Sequence, residues 1–128
     1  MRILLDSHAL VWFLDGNPRF SRDARSAIED EEAVAFVSAV TAWEVANKYR
    51  LGKWPEAAAL AESFMETIER HGFEPLPISV DHARIAGLLV SPHRDPFDRM
   101  LAAQAQLESL PLVTADPIFS RLGVRVLW

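Results

Sequence analysis

The chain has 128 residues, half of them hydrophobic, so it reads as one globular domain able to bury a sizeable core, not as a disordered segment. It has no cysteine, which excludes disulfides, thiolate metal sites and a cysteine nucleophile and fits a reducing cytosol. Its formal net charge of −5 opposes any role that relies on a basic field to neutralise phosphates, so a nucleic-acid role here calls for local cations or a metal.

Ile3, Leu4 and Leu5 form a short apolar run that predicts a buried strand, ended by Asp6. The run is too short for a signal peptide, and no later run approaches membrane-spanning length. A helix is predicted over 7–14, then punctuation at Asp15-Gly16-Asn17-Pro18, then a charged helix over 22–32 capped by Ser21. Val34 to Val37 predicts a second buried strand. Ser38 caps a helix over 39–51 that stops at Gly52. Pro55 starts a helix running to about residue 71, with Leu60, Phe64, Met65 and Ile68 on one stripe. A short extended piece lies within 73–78, and Ser79 caps a helix through Leu89. Asp95-Pro96 opens the most strongly marked helix, an N-cap followed by proline at the first helical position. Strands are predicted at 111–114 and 123–128, with a helical turn between them. Short apolar strands alternating with helices indicate an α/β fold with a mainly parallel sheet covered on both faces. In such sheets ligands bind beyond the carboxyl ends of the strands, where Asp6 and Asp116 are predicted to lie.

Four acids are candidates for a site. Asp6 either caps the helix that follows or is freed from that duty by Ser7. Glu44 either forms an i,i+4 surface pair with Lys48, or projects from a packed helix into a cleft with Thr41 and Lys48 on the same side. Asp98 lies in the first turn of the Asp95 helix, favourable for the helix dipole. It also shares the inward face of Leu101, Ala102 and Ala105, and with Asp95 already capping, a second acid there is surplus. Asp116 before Pro117 repeats the cap-plus-proline pattern, which does not bar it from a site edge. A set of carboxylates without a histidine cluster or a glycine-rich phosphate loop suits Mg²⁺ or Mn²⁺. Packed together, such acids repel one another and have raised pKa values unless a cation lies between them. A divalent ion so held can polarise a phosphoryl oxygen and activate water, the chemistry of phosphodiester hydrolysis.

These residues stand in a recognisable order. Leu4-Leu5-Asp6-Ser7-His8, Ser38 to Ala46 with Lys48 and Gly52-Lys53, His93 to Ala105, and Val113-Thr114-Ala115-Asp116 together resemble the four motifs of PIN-domain ribonucleases, in particular VapC-type toxins of toxin–antitoxin pairs. The resemblance covers nearly the whole chain, and its third motif is the most specific. It implies an α/β/α sandwich, Mg²⁺ or Mn²⁺ dependence, endonucleolytic RNA cleavage, a homodimer, a cytoplasmic setting and inhibition by a cognate antitoxin. It makes Asp6, Glu44 and Asp98 the core metal-holding acids and Asp116 a more variable fourth, with Thr114 as a hydroxyl near the site. Lys48, Arg94 and Arg99 are candidates to steer the RNA backbone, or else ordinary solvated charges. His8 and His93 could stack or bond beside the acids, or be structural. Trp12, Trp43, Trp54 and Phe64 are core residues, or line a dimer seam or an antitoxin groove. Two other readings stand beside this one. The first is a non-catalytic binding module whose acids are caps and ion pairs. The second is a nuclease of the same fold that acts on DNA, or in RNA processing, outside a toxin pair.

Overall fold

The computed structural model describes residues 1–128. Five strands, β1 (Arg2–Leu5), β2 (Val34–Ser38), β3 (Glu74–Leu76), β4 (Leu112–Val113) and β5 (Val126–Leu127), form one sheet in the order β3-β2-β1-β4-β5. Every pairing is parallel, with Leu5 beside Val37 on one side and Val113 on the other. Eight helices accompany them: α1 (Ser7–Asp15), α2 (Arg22–Glu29), α3 (Ala39–Arg50), α4 (Ala58–Glu62), α5 (Phe64–Arg70), α6 (Val80–Leu88), α7 (Pro96–Leu107) and α8 (Ile118–Arg121).

The alternation of side chains along β1 divides the core. Ile3 and Leu5 join Val37, Leu10, Val45, Ile68 and Phe73 on one face, while Leu4 joins Leu101, Ala102, Leu112 and Phe119 on the other. A strand buried on both faces must be apolar at successive positions, which is why β1 reads as an unbroken run. The expected three-layer α/β/α arrangement is therefore the one observed.

Three local expectations are corrected. The charged helix ends at Glu29, because Asp30 turns extended and its side chain accepts from the Glu32 N–H instead. The helix expected from Pro55 onward is three pieces, a 3-10 turn Pro55–Ala57 followed by α4 and α5. Ser63 breaks it by leaving helical backbone geometry (φ −135°, ψ 47°). That break turns Leu60 and Ile68 into the core while Met65, expected on the same stripe, is 48% exposed.

Two polar side chains fasten α7. Gln104, fully buried, accepts from the Ser38 hydroxyl at 2.5 Å and donates to the Pro77 carbonyl at 3.2 Å. It thus ties the helix to the carboxyl end of β2 and to the chain that follows β3. Arg99 donates to the backbone carbonyls of Ala86, Gly87, Leu89, Ser91 and His93. One guanidinium so satisfies the open end of α6 and the loop that leads into α7.

Candidate active site

The sheet order reverses direction between β1 and β4, since the chain first builds outward through β2 and β3 and then returns to the other side of β1. The carboxyl ends at such a switch point flank a crevice. Asp6 follows β1 directly, and Thr114, Ala115 and Asp116 follow β4. The neighbouring walls come from α3, which carries Glu44 and Lys48, and from the start of α7, which carries Asp98. Asp6, Glu44, Asp98 and Asp116 all line one cleft of about 380 Å³, together with Ser7, His8, Lys48 and Asp95.

Asp6 is 6% exposed. Its Oδ1 caps α1 by accepting from the Ala9 N–H at 2.6 Å, and its Oδ2 accepts from the Thr114 hydroxyl. The cap is thus Asp6 and not Ser7, and capping leaves the acid in the site. Burial pushes its pKa from 3.8 up to about 6, against the lowering effect of those two hydrogen bonds, and the charges of Asp98 and Glu44 push the same way as burial. Thr114 is itself buried, and its hydroxyl also accepts from the Asp116 N–H at 3.0 Å. A relay of three residues therefore fixes Asp6 to the β4 loop. The Thr114 hydroxyl, expected near the site, orients an acid there.

Glu44 is 3% exposed and pairs with Lys48 as the helical spacing foretold, yet it is no surface pair. Its Oε1 also accepts from the Ser7 hydroxyl at 2.5 Å, so α1 and α3 meet through this carboxylate. The Lys48 ammonium lies 5.6 Å from the Trp54 ring centre and 6.0 Å from that of Phe97. These faces hold the cation in the cleft wall. His8 stacks on Trp54 at 4.5 Å, and burial lowers its pKa, which favours the neutral ring.

Asp98 accepts from His93 Nε2 at 2.8 Å across the α6–α7 loop. Its pKa is raised, first by burial and then by the charges of Asp95 and Glu44, with the His93 bond opposing. Asp95 caps α7 through Oδ1, which receives the Phe97 and Asp98 N–H groups at 2.9 and 3.2 Å, and it also lines the cleft. Asp116 is exposed and accepts from the Ile118 N–H at 3.0 Å.

The expected steering cations divide. Lys48 is in the cleft, whereas Arg94 and Arg99 line a separate hollow beside Trp43 and Met100. The Arg99 fork is occupied by backbone carbonyls, so its place is in the scaffold.

Five carboxylates and one ammonium line the cleft, leaving a surplus of negative charge around hard oxygen donors. No three of the acidic or imidazole groups are drawn into a closed ligand set. One oxygen of Asp98 and one of Asp116 take no protein donor. That donor chemistry fits a hydrated hard dication held partly through water, and does not fit a zinc cage. The Ser7 hydroxyl, which orients Glu44, carries no distinguishing sequence signal as a donor, whereas Thr114, which orients Asp6, is the hydroxyl that the resemblance marks. Trp12 and Trp128, which form one wall of the cleft, could not be placed there from sequence.

Comparison with known proteins bears on the family and the fold. Residues 3–125 match the PIN domain family. A 74-residue stretch is 39% identical to ribonuclease VapC16 of Mycobacterium tuberculosis, covering 55% of this chain and 51% of that protein. The chain thus spans about half the length of the curated relative it matches. Among solved structures, a VapBC2 complex from Rickettsia felis bound to a fragment of promoter DNA superposes with a TM-score of 0.72 at 17% identity, covering 100% of this chain and 98% of that one. FitAcB from Neisseria gonorrhoeae superposes at 0.68 and 23% identity, covering 100% and 97%. At those identities the likeness is one of fold. The family match, which spans nearly the whole sequence, goes further: this chain belongs to the PIN domain family.

Proposed function

We propose that the protein is a divalent-metal-dependent endoribonuclease and the toxin of a toxin–antitoxin pair. The observation that carries the reading is the convergence of Asp6, Glu44, Asp98 and Asp116, from four separate elements, on one cleft at the switch point of the sheet. The ribonuclease name of the relative from Mycobacterium tuberculosis supports the activity. A toxin–antitoxin complex from Klebsiella pneumoniae, of similar fold with a TM-score of 0.60, supports the pairing.

Asp6, Glu44 and Asp98 are the residues to hold Mg²⁺ or Mn²⁺, with Asp116 completing the set. The ion, when bound, supplies Lewis acidity toward a phosphoryl oxygen and an activated water. The chain's own contribution is positioning. Thr114 and the start of α1 hold Asp6, Ser7 and Lys48 hold Glu44, and His93 holds Asp98. Lys48 is the one fixed cation beside the acids, where its charge would meet that of a scissile phosphate.

The test is cleavage of a structured RNA pool by protein freed of any antitoxin, with Mg²⁺ or Mn²⁺ and with EDTA, beside Asp98→Asn. Cleavage that needs the metal and disappears in the variant is the expected result. Absence of cleavage together with absence of metal binding by calorimetry would replace this reading with the non-catalytic binding module.

A further inference from the structure

The wall of the cleft formed by α1 and β5 carries two tryptophans whose role the acids leave unexplained. Trp12 and Trp128 both line it, their ring centres 6.0 Å apart and tilted by 55°. They are not equivalent. Arg19 places its guanidinium 5.0 Å from the Trp12 ring centre, so Trp12 serves as a seat for a cation. No carboxylate lies within ion-pairing distance of Arg19. Trp128 is 37% exposed, and it is buttressed edge-on at 5.1 Å by Phe20, which is itself buried. A supported aromatic ring that remains open to the cleft, next to an unpaired guanidinium and a cluster of carboxylates, is the composition of a single-stranded nucleotide site. The ring takes a base face, the guanidinium takes a phosphate, and neither reads sequence.

We propose that Trp128, with Arg19 seated on Trp12, forms a subsite that stacks an unpaired nucleobase and grips an adjoining phosphate of the RNA strand. The inference rests on the ribonuclease reading and deepens it. It also answers the charge problem posed by the net −5: one local cation and a stacking face supply binding that the global field opposes. A base in a duplex is paired and stacked already, and can reach Trp128 only if the duplex opens.

The experiment measures binding and cleavage separately. Fluorescein-labelled single-stranded RNA, and the same strand annealed to its complement, are titrated in Mg²⁺ into an Asp98→Asn background by anisotropy. Trp128→Leu keeps an apolar side chain and removes the stacking face, and Trp128→Phe keeps a smaller one. Arg19→Gln removes the cation. The expected result for Trp128→Leu is a roughly 5- to 150-fold loss of single-strand affinity and loss of the preference over duplex, with Trp128→Phe partly restoring both. Arg19→Gln should lower the slope of log affinity against log salt by about one. With Asp98 intact, the loss should fall on KM and leave kcat in place. Unchanged single-strand binding in Trp128→Leu overturns the subsite while the ribonuclease reading stands. So does a defect confined to a cognate antitoxin peptide, which would make the wall a protein contact. Failure of the parent protein either to bind or to cleave RNA removes the ribonuclease reading and the subsite with it.

Discussion

Replacing Asp6 by Asn should make the metal-free protein more stable, although the residue sits at the centre of the site. Asn accepts the Ala9 N–H as well as Asp does, so the α1 cap survives. The Thr114 hydroxyl, which donates to Oδ2, must turn to accept from the Asn amide, so the main loss is that of a buried charge. The Asp6 carboxyl has its pKa raised from 3.8 to about 6 in the fold, roughly two units, and each unit is about 1.4 kcal/mol. A raised pKa means the fold prefers the protonated acid, so Asp6 costs nothing below its unfolded value. Its cost grows as pH rises and is complete above about 6, at roughly 3 kcal/mol. For a domain of this size that corresponds to about 10 °C in Tm. Thermal unfolding followed by circular dichroism in EDTA should place the Asp6→Asn Tm about 10 °C above that of the parent at pH 7.5. The difference should shrink steadily toward pH 4. An equal or lower Tm for the variant at pH 7.5, or a gap independent of pH, would refute the claim that Asp6 is a buried charge its hydrogen bonds do not fully offset.

Other expectations concern the residues that hold the site. Thr114→Val removes the hydrogen bond that lowers the Asp6 pKa, so a carboxyl ¹³C titration should show Asp6 taking up its proton at higher pH than in the parent. Gln104→Ala strands the Ser38 hydroxyl and the Pro77 carbonyl and leaves a void; urea unfolding should report a loss of about 3 kcal/mol. Arg99→Lys keeps the charge but not the planar fork that reaches five carbonyls. Amide exchange should accelerate through 89–95, and the His93–Asp98 contact should loosen. Added Mn²⁺ should raise the Tm of the parent more than that of Asp6→Asn, since only the parent gains relief of the Asp6 charge.

The strands were legible because burial on both faces leaves no room for polar residues, and β1 and β2 show this over consecutive positions. The α7 start was legible because Asp95-Pro96 is a local signal, and the structure uses it as a local cap. The break at Ser63 was not, since nothing near it forbids a helix and the packing of Leu60 and Ile68 decides its geometry. The acids could be picked by type and spacing. Lys48 could be paired with Glu44 by helical spacing, but distant partners could not, because Ser7 and Glu44 are 37 residues apart and Asp6 and Thr114 are 108 apart. Arg99 shows the limit most clearly: a sequence records a positive charge but not that a helix end would claim it.

The separation of Asp6 from Thr114 has a consequence for how the protein is made. During synthesis β1 emerges first, but its partner β4 and the hydroxyl that orients Asp6 emerge only after more than a hundred further residues. Domains close their long-range parallel pairings late, once the intervening chain is available. A ribosome-bound chain that has reached α6 therefore holds Asp6 and Glu44 but neither α7 nor the β4 loop. The cleft cannot form on such a fragment. On the proposed ribonuclease reading, this order keeps an unfinished chain harmless to the transcript and ribosome producing it until α7 and the β4 loop have emerged.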